Sequence, residues 1–270
     1  VDLDLHIHST ASDGSVSPEE VVLAAVEARL DLISLTDHDT LAGIPAAIEA
    51  ARSHPIQVIP GIEMSTGSEE AELHILGYFI DPTEPTLLAH TARASGARRE
   101  RMEEMLKRLR SQGVELSFEA VEAQARGGGV LGRPHLAQAM VAAGIVSSVD
   151  EAFIQHIGNA SPAYVPIRLL DPPAAIRMIR DAGGISVWAH PPIRYFHDLL
   201  PGLVEAGLGG VEVYRPRMLP DRLLKLERGA RSAGLVLSGG SDWHGPASGP
   251  LGEFRVKSSE ISAFLEAGGI

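Results

Sequence analysis

Asp2-Leu3-Asp4-Leu5-His6-Ile7-His8-Ser9 opens the chain, and its reading decides the fold. A short alternating apolar run ends in two histidines one residue apart. Period two is the strand period, so His6 and His8 point to one face. Two imidazoles converging at the end of a buried strand suit a divalent metal ion. Taken alone, such a pair is more often an ordinary surface feature, and the test is whether other strand ends supply further ligands.

The 270 residues, 44% of them hydrophobic, suffice for one large domain or one domain carrying an insertion. There is no cysteine, which excludes disulfides, thiolate sites and cysteine nucleophiles. Any metal must be held by His, Asp and Glu, a ligand set that suits Mn, Zn or Fe(II). The net charge of −12 disfavours a long nucleic-acid duplex as partner, yet leaves room for a small anion at a metal site. No apolar stretch has the length of a membrane span. The acidic N-terminus enters a strand at once without a signal-peptide pattern, so the expected location is the cytoplasm.

Strands alternate with helices through most of the chain. Ser17-Pro18-Glu19-Glu20 predicts a capped helix start. Residues 32–36 read as a strand ending in Asp37-His38-Asp39, and a helix is expected over 42–52. Residues 58–64 read as a strand ending at Glu63, and 73–79 as a strand carrying His74. From 82 to 163 the pattern is helical only. One long amphipathic helix there has Leu88, Met102, Met105, Leu106 and Leu109 on one side, Gly127-Gly128-Gly129 breaks the region, and Arg133-Pro134-His135 opens another helix. The strand–helix rhythm then resumes. Strands are expected at 185–189 before His190-Pro191, at 210–214, and at 235–238 before Gly240-Ser241-Asp242-Trp243-His244, with a short strand near Phe254. No glycine-rich dinucleotide fingerprint follows the first strand. The expected fold is therefore α/β, a distorted (β/α)7 barrel with a small helical insertion. The barrel takes residues 1–81 and 164–270, and the insertion residues 82–163.

In such barrels the chemistry sits where strands end. His6, His8 and Asp13 follow the first strand, His38 the second and Glu63 the third. His74 lies on the fourth, His190 follows the strand after the insertion, and Asp242 and His244 follow the last. His54, His90, His156 and His197 have no such placement. Each position alone has a bland reading, from turn to helix cap to buried core histidine. Together, so many ionisable groups in one cleft would be prohibitive to bury without cations. They also exceed what one ion uses, which argues for two or three metals.

The ordered set His6-x-His8, Asp13, Thr36-Asp37-His38-Asp39, Pro60-Gly61-Ile62-Glu63, His74, Ala189-His190-Pro191 and Gly240-Ser241-Asp242-Trp243-His244 closely resembles the PHP (polymerase and histidinol phosphatase) superfamily. The resemblance covers nearly the whole chain. The insertion carrying Gly132-Arg133-Pro134-His135 is similar to the stand-alone bacterial phosphoesterases of that family. It implies a trinuclear centre: one metal on His6, His8, Glu63 and Asp242, a second on His74 and His190 with Glu63 as bridge, a third on Asp13, His38 and His244. Asp37 and Asp39 would orient imidazoles.

The implied activity is a metal-dependent phosphoesterase with two to three divalent ions, Mn foremost. A metal-bridging hydroxide would attack a phosphate monoester of a nucleotide, first a nucleoside 3',5'-bisphosphate. Asp37, His244 and a metal-bound water are candidates for the general acid. Arg133 and His135, at a helix start after a glycine run, are candidates for a second phosphate. Arg168, Arg194, Arg215 and Arg217, near strand ends, are weaker ones. The competing readings are 5'-3' exoribonuclease action on short 5'-phosphorylated RNA, a phosphatase or cyclic phosphodiesterase acting on another small phosphoester, and a non-catalytic metal-bound module. The expected partner is a small phosphorylated substrate, with no membrane, no long duplex and no obligate protein partner.

Overall fold

The computed structural model describes residues 1–67, 72–125, 128–167 and 169–270. Gly127 and Arg168, both named above, lie outside the described residues. Local chemistry sets the element boundaries. Helix α1 (Pro18–Glu27) begins where the Ser17 hydroxyl accepts from the Glu20 amide at 3.2 Å and the Glu20 carboxylate accepts from the Ser17 amide at 2.8 Å. Such a cap is worth about 1 kcal/mol. Helix α2 is shorter than expected, at Ile44–Ala51.

Among the described residues, eight strands form one nearly closed, barrel-shaped sheet. They are β1 (Asp2–Ile7), β2 (Leu32–Leu35), β3 (Gln57–Gly67), β4 (Glu72–Tyr78), β5 (Ile185–Trp188), β6 (Gly210–Tyr214), β7 (Val236–Gly239) and the short β8 (Val256–Lys257). Their order is β7-β6-β5-β4-β3-β2-β1-β8. Strands β1, β2 and β3 run parallel, as do β5, β6 and β7. Strand β4 is antiparallel to both β3 and β5, and β8 is antiparallel to β1. Two consequences differ from the sequence reading. β3 does not end at Glu63 but continues to Gly67, because β4 folds back along it as a hairpin. His74 lies near the start of β4 rather than its end, and the reversed direction brings that start to the edge where the parallel strands finish.

The barrel is drawn together beyond β7. The His8 amide donates to Trp243 O at 2.9 Å and the Trp243 amide to His6 O at 3.2 Å, which lays 241–243 beside β1. Gly240 is required by this approach, since a Cβ there would stand 2.4 Å from both the Cβ and the amide nitrogen of His6. Helices α7 (Pro172–Asp181), α8 (Phe196–Glu205) and α9 (Pro220–Ser232) cover the sheet, with Ile176, Ile179, Phe196, Leu203 and Leu226 packed among Tyr78, Trp188 and Val211. A short helix α10 (Ser262–Ala267) ends the chain.

Among the described residues, 82–163 hold helices and no strand: α3 (Pro85–Ser111), α4 (Phe118–Glu122), α5 (Arg133–Ala142), α6 (Val149–Ala152) and a π-turn over Phe153–Ile157. They enclose their own apolar cluster around Met102, Met105, Leu109, Leu136 and Met140. Leu88, read as part of the apolar stripe, is exposed, and its neighbour Leu87 is buried instead. Among the described residues no helix is long and apolar enough to cross a membrane.

One buried ion pair ties α3 to the barrel. The Arg98 guanidinium donates to Asp39 Oδ2 through Nε at 2.9 Å and Nη2 at 2.6 Å, to Ser65 Oγ at 2.7 Å and to Leu131 O at 3.2 Å. Removing one partner of a buried pair strands the other charge. Arg98→Met is therefore expected to destabilise the chain by roughly 3–5 kcal/mol in urea unfolding. Adding Asp39→Asn should recover part of that loss; an additive double variant would show that the pair is not coupled.

Candidate metal centre

Glu63 is the middle of the site. It sits in the interior of β3, fully buried, with five imidazoles around its carboxylate. Oε1 lies 2.8 Å from His74 Nδ1 and 2.9 Å from His190 Nε2. Oε2 lies 3.3 Å from His6 Nε2, 3.2 Å from His8 Nε2 and 3.0 Å from His38 Nδ1. The segment after β2 reaches it through the backbone, with the Asp39 amide donating to Glu63 O at 2.9 Å and the Glu63 amide to Asp37 O at 3.2 Å.

Asp242 faces the same point from the far end of the chain. Its Oδ1 is 3.4 Å from His6 Nε2 and 3.2 Å from His8 Nε2. Asp13 stands on the other side of His8, with Oδ1 3.7 Å from His8 Nδ1 and 3.4 Å from His244 Nε2, and Oδ2 3.8 Å from His38 Nε2. The nine expected ligands thus come together. Three groups among them have donor atoms close enough to share an ion: His6, His8 and Glu63; His38, Glu63 and His74; and His8, Asp13, His38 and His244. Asp39, His190 and Asp242 all hold left-handed backbone, with φ of 51°, 30° and 56°. Such strain in non-glycine residues persists where the surroundings impose it, commonly at functional sites.

The donor atoms fit divalent cations on physical grounds. Among the described residues, His6 Nε2, both ring nitrogens of His8, His38 Nδ1 and Glu63 Oε2 are buried without a hydrogen-bond partner, a costly arrangement if nothing binds there. Two ligands each about 2.1 Å from an ion and at roughly right or tetrahedral angles lie about 3.0–3.4 Å apart. That is the spacing found around Glu63 Oε2 and Asp242 Oδ1. The cluster is able to bind divalent metals.

The charges in the cluster are strongly coupled. Burial disfavours the Glu63 carboxylate, but His38, His74 and His6 outweigh it and hold the group well below its usual value. Burial likewise opposes ionisation of Asp13 and Asp242, and the neighbouring imidazoles still keep both well below the ordinary carboxylate range. His8 and His74 are each raised to about 10, since their carboxylate partners overcome desolvation. His38 is pushed down to about 3 by burial, more than Glu63 and Asp13 can offset. Cations would take over the charge that these protons carry, so metal uptake releases protons.

Two carboxylates missed in the sequence complete the centre. Glu212, buried in β6, accepts from His6 Nδ1 at 2.8 Å and from the His190 amide at 2.7 Å. With Nδ1 so engaged, the His6 lone pair is aimed at Glu63 and Asp242. Asp4 accepts from the amides of His6 at 3.2 Å and Ser241 at 2.8 Å, joining the two closing segments. Burial raises its carboxyl to about 6 against those hydrogen bonds. The one signal for Glu212 was a carboxylate inside the apolar run Gly210-Val211-Glu212-Val213-Tyr214.

Several expected roles are corrected. Asp37 does not orient an imidazole or face the cleft. It is buried, and accepts from the Ser9 amide at 2.8 Å, Ser9 Oγ at 2.7 Å and Ser12 Oγ at 2.6 Å, clasping the loop that carries Asp13. This leaves it poorly placed to protonate a leaving group. Asp39 is committed to Arg98 and to the Ser65 amide. His135 is only 2% exposed and accepts from the Gly132 amide at 3.0 Å, so it caps α5 and presents no surface to an anion. Arg133, by contrast, lines a cleft of about 200 Å³ together with Glu72, His74, Asn159 and His190. His244 donates through Nδ1 to Asp242 O at 2.9 Å, which turns Nε2 toward Asp13.

Glu212→Gln should keep the fold and weaken divalent-metal affinity by about 10- to 100-fold, measured by competition with a chromophoric chelator. Unchanged affinity would show that His6 needs no such support.

Residues 4–119 match the PHP domain family. Three relatives align over nearly the whole chain. A 5'-3' exoribonuclease of Haemophilus influenzae is 36% identical and covered to 90% in both chains. A phosphoribosyl 1,2-cyclic phosphate 1,2-diphosphodiesterase of Eggerthella lenta is 35% identical, over 90% of this chain and 94% of the relative. A 3',5'-nucleoside bisphosphate phosphatase of Chromobacterium violaceum is 33% identical, over 92% of this chain and 88% of the relative. Among solved structures, a Bifidobacterium adolescentis chain assigned as a metal-dependent phosphoesterase superposes with a TM-score of 0.90, at 31% identity over 98% of this chain and 96% of its own. The chain belongs to the PHP domain family and is a phosphoesterase of it.

Proposed function

We propose that the chain hydrolyses a phosphate monoester of a nucleotide carrying more than one phosphate, first a nucleoside 3',5'-bisphosphate, with two to three divalent ions and Mn foremost. One observation carries this choice. Arg133 shares its cleft with His74 and His190, so a cation-bound phosphate and a guanidinium-bound phosphate fit side by side. The three relatives have different substrates at nearly equal identity, so likeness alone does not choose among them.

In this reading His6, His8, Glu63 and Asp242 hold one ion, His74, His190 and Glu63 a second, and Asp13, His38 and His244 a third. Bound divalent ions supply an activated water near neutral pH and offset charge on the phosphoryl oxygens. The protein's own part is positioning. Glu212 and the Asp242 carbonyl fix the faces of His6 and His244. The His244 tautomer so fixed favours a ligand role over proton donation. Arg133 donates to Asn159 Oδ1 at 2.6 Å and lies over the Tyr164 ring at 5.1 Å, which holds its fork at the cleft wall. Tyr164 in turn donates to Glu72 at 2.8 Å. Residues 82–163 act in this proposal as an inserted helical unit that brings Arg133 to the barrel. A nucleotide substrate fits a cytoplasmic setting, which belongs to the same proposal.

With Mn2+, adenosine 3',5'-bisphosphate should release phosphate. Arg133→Ala should raise its KM by about 10- to 100-fold, the loss of one charged hydrogen-bonding contact, with a much smaller change in kcat. An unchanged KM would remove Arg133 from the substrate site. Failure of the metal-loaded protein on this compound and on a panel of phosphoesters would remove the proposed reaction.

A further inference from the structure

The Arg133 cleft holds a carboxylate in a place that suits an anion. Glu72 is the first residue of β4, and the strand period turns it to the same side as His74. It lines the cleft with Arg133, His74 and His190, and its side chain is 18% exposed. Oε1 stands 3.9 Å from His74 Nε2, and Oε2 stands 3.9 Å from Arg133 Nη2. Neither separation is a hydrogen bond. Oε2 accepts instead from the Tyr164 hydroxyl at 2.8 Å.

Arg133 is correspondingly half committed. Its Nη1 donates to Asn159 Oδ1 at 2.6 Å and to Ile157 O at 3.4 Å, while Nη2 is the arm turned toward Glu72. The Tyr164 ring lies under two guanidinium groups, Arg133 at 5.1 Å and Arg101 at 5.8 Å. Arg101 is buried, and among the described residues its Nη2 has no hydrogen-bond partner. Two guanidinium groups and an imidazole thus surround one carboxylate, which stays ionised at neutral pH in such company. A carboxylate whose task was to neutralise Arg133 would close the 3.9 Å gap, and the Tyr164 hydroxyl holds Glu72 short of that.

A phosphate that reaches Arg133 Nη2 comes within a few ångströms of this carboxylate, in a part-buried cleft where charges are weakly screened. Arg133 attracts it and Glu72 repels it. The repulsion grows with the number of charges on the arriving group. We propose that Glu72 is a specificity-determining residue, held off Arg133 by Tyr164, which limits the charge that the cleft retains at the second phosphate. This rests on Arg133 as the contact for a second phosphate and deepens that reading. The opposing charge lets a group that enters through Arg133 leave again.

The test is equilibrium binding by calorimetry to the Mn2+-saturated full chain. The probes are adenosine 3',5'-bisphosphorothioate and the 3'- and 5'-monophosphorothioates, whose slow hydrolysis permits the measurement. The readout is the preference for the bisphosphate analogue over either mono-analogue. Glu72→Gln keeps an oxygen to accept from Tyr164 and removes the charge, so the preference should rise about tenfold. Tyr164→Phe keeps the ring under Arg133 and frees Glu72 to close on Nη2, so the preference should fall. If both classes of probe shift together in Glu72→Gln, the effect lies at His74 and its ion, and the proposal is overturned. A lowered preference in Glu72→Gln would make Glu72 a support for Arg133 and overturn it as well. No change or a rise in Tyr164→Phe would overturn the part given to the hydroxyl. Arg133→Ala separates this idea from the one beneath it. An unaltered preference there removes the second-phosphate reading and the role of Glu72 with it. A lowered preference there, with none gained in Glu72→Gln, removes the role of Glu72 alone.

Discussion

A single carboxylate, Glu63, surrounded by five imidazoles at 2.8 to 3.3 Å, is the constraint on which the rest of the structure depends. A fully buried carboxylate is costly unless positive charge meets it. The histidines that meet it come from β1, the segment after β2, β4 and the segment after β5. Each must therefore present its end to one point. A sheet that curls nearly into a barrel does this, and a flat sheet does not. The closing contact of 241–243 with β1 brings Asp242 to the same point.

Much of this was legible because it rests on periodicity and on polar residues at strand ends. Alternation in the first strand fixed the facing of His6 and His8, and the Ser17–Glu20 pattern marked the start of α1. The direction of β4 was not legible. Its pattern of apolar residues is the same read forward or backward, and only pairing with β3 shows that His74 enters from the strand's beginning. The length of β3 was hidden for the same reason, since its outer half exists by virtue of the hairpin.

The errors at the site have a common cause. Asp37, Asp39 and His135 are polar residues beside metal-ligand types, and adjacency in sequence suggested a part in the chemistry. Asp37 and His135 instead spend their hydrogen-bonding capacity on backbone and hydroxyl groups that shape a loop or a helix start, and Asp39 spends its own on the Arg98 guanidinium and the Ser65 amide. Glu212 is the converse. It sits in a strand that reads as pure core, and its partners, His6 and the His190 amide, lie 206 and 22 residues earlier in the chain. A carboxylate at the centre of an apolar strand must find its donor through the fold, so no local pattern can name that donor.

The helices of 82–163 are more than a cover. Arg98 reaches down to Asp39 and Ser65, on the segments that flank His38 and Glu63. Val130 donates to Ala11 O at 2.9 Å, and Gly129 lies so close to Thr10 that a Cβ would stand 2.2 Å from its carbonyl oxygen. That loop carries Asp13. The same helices therefore brace two of the ligand-bearing segments and set Arg133 at the cleft. Changes in them would alter the shape around the cluster without replacing any of its histidines or carboxylates. A barrel that positions the polar cluster, with helices that shape the walls around it, divides the two tasks between separate parts of this chain.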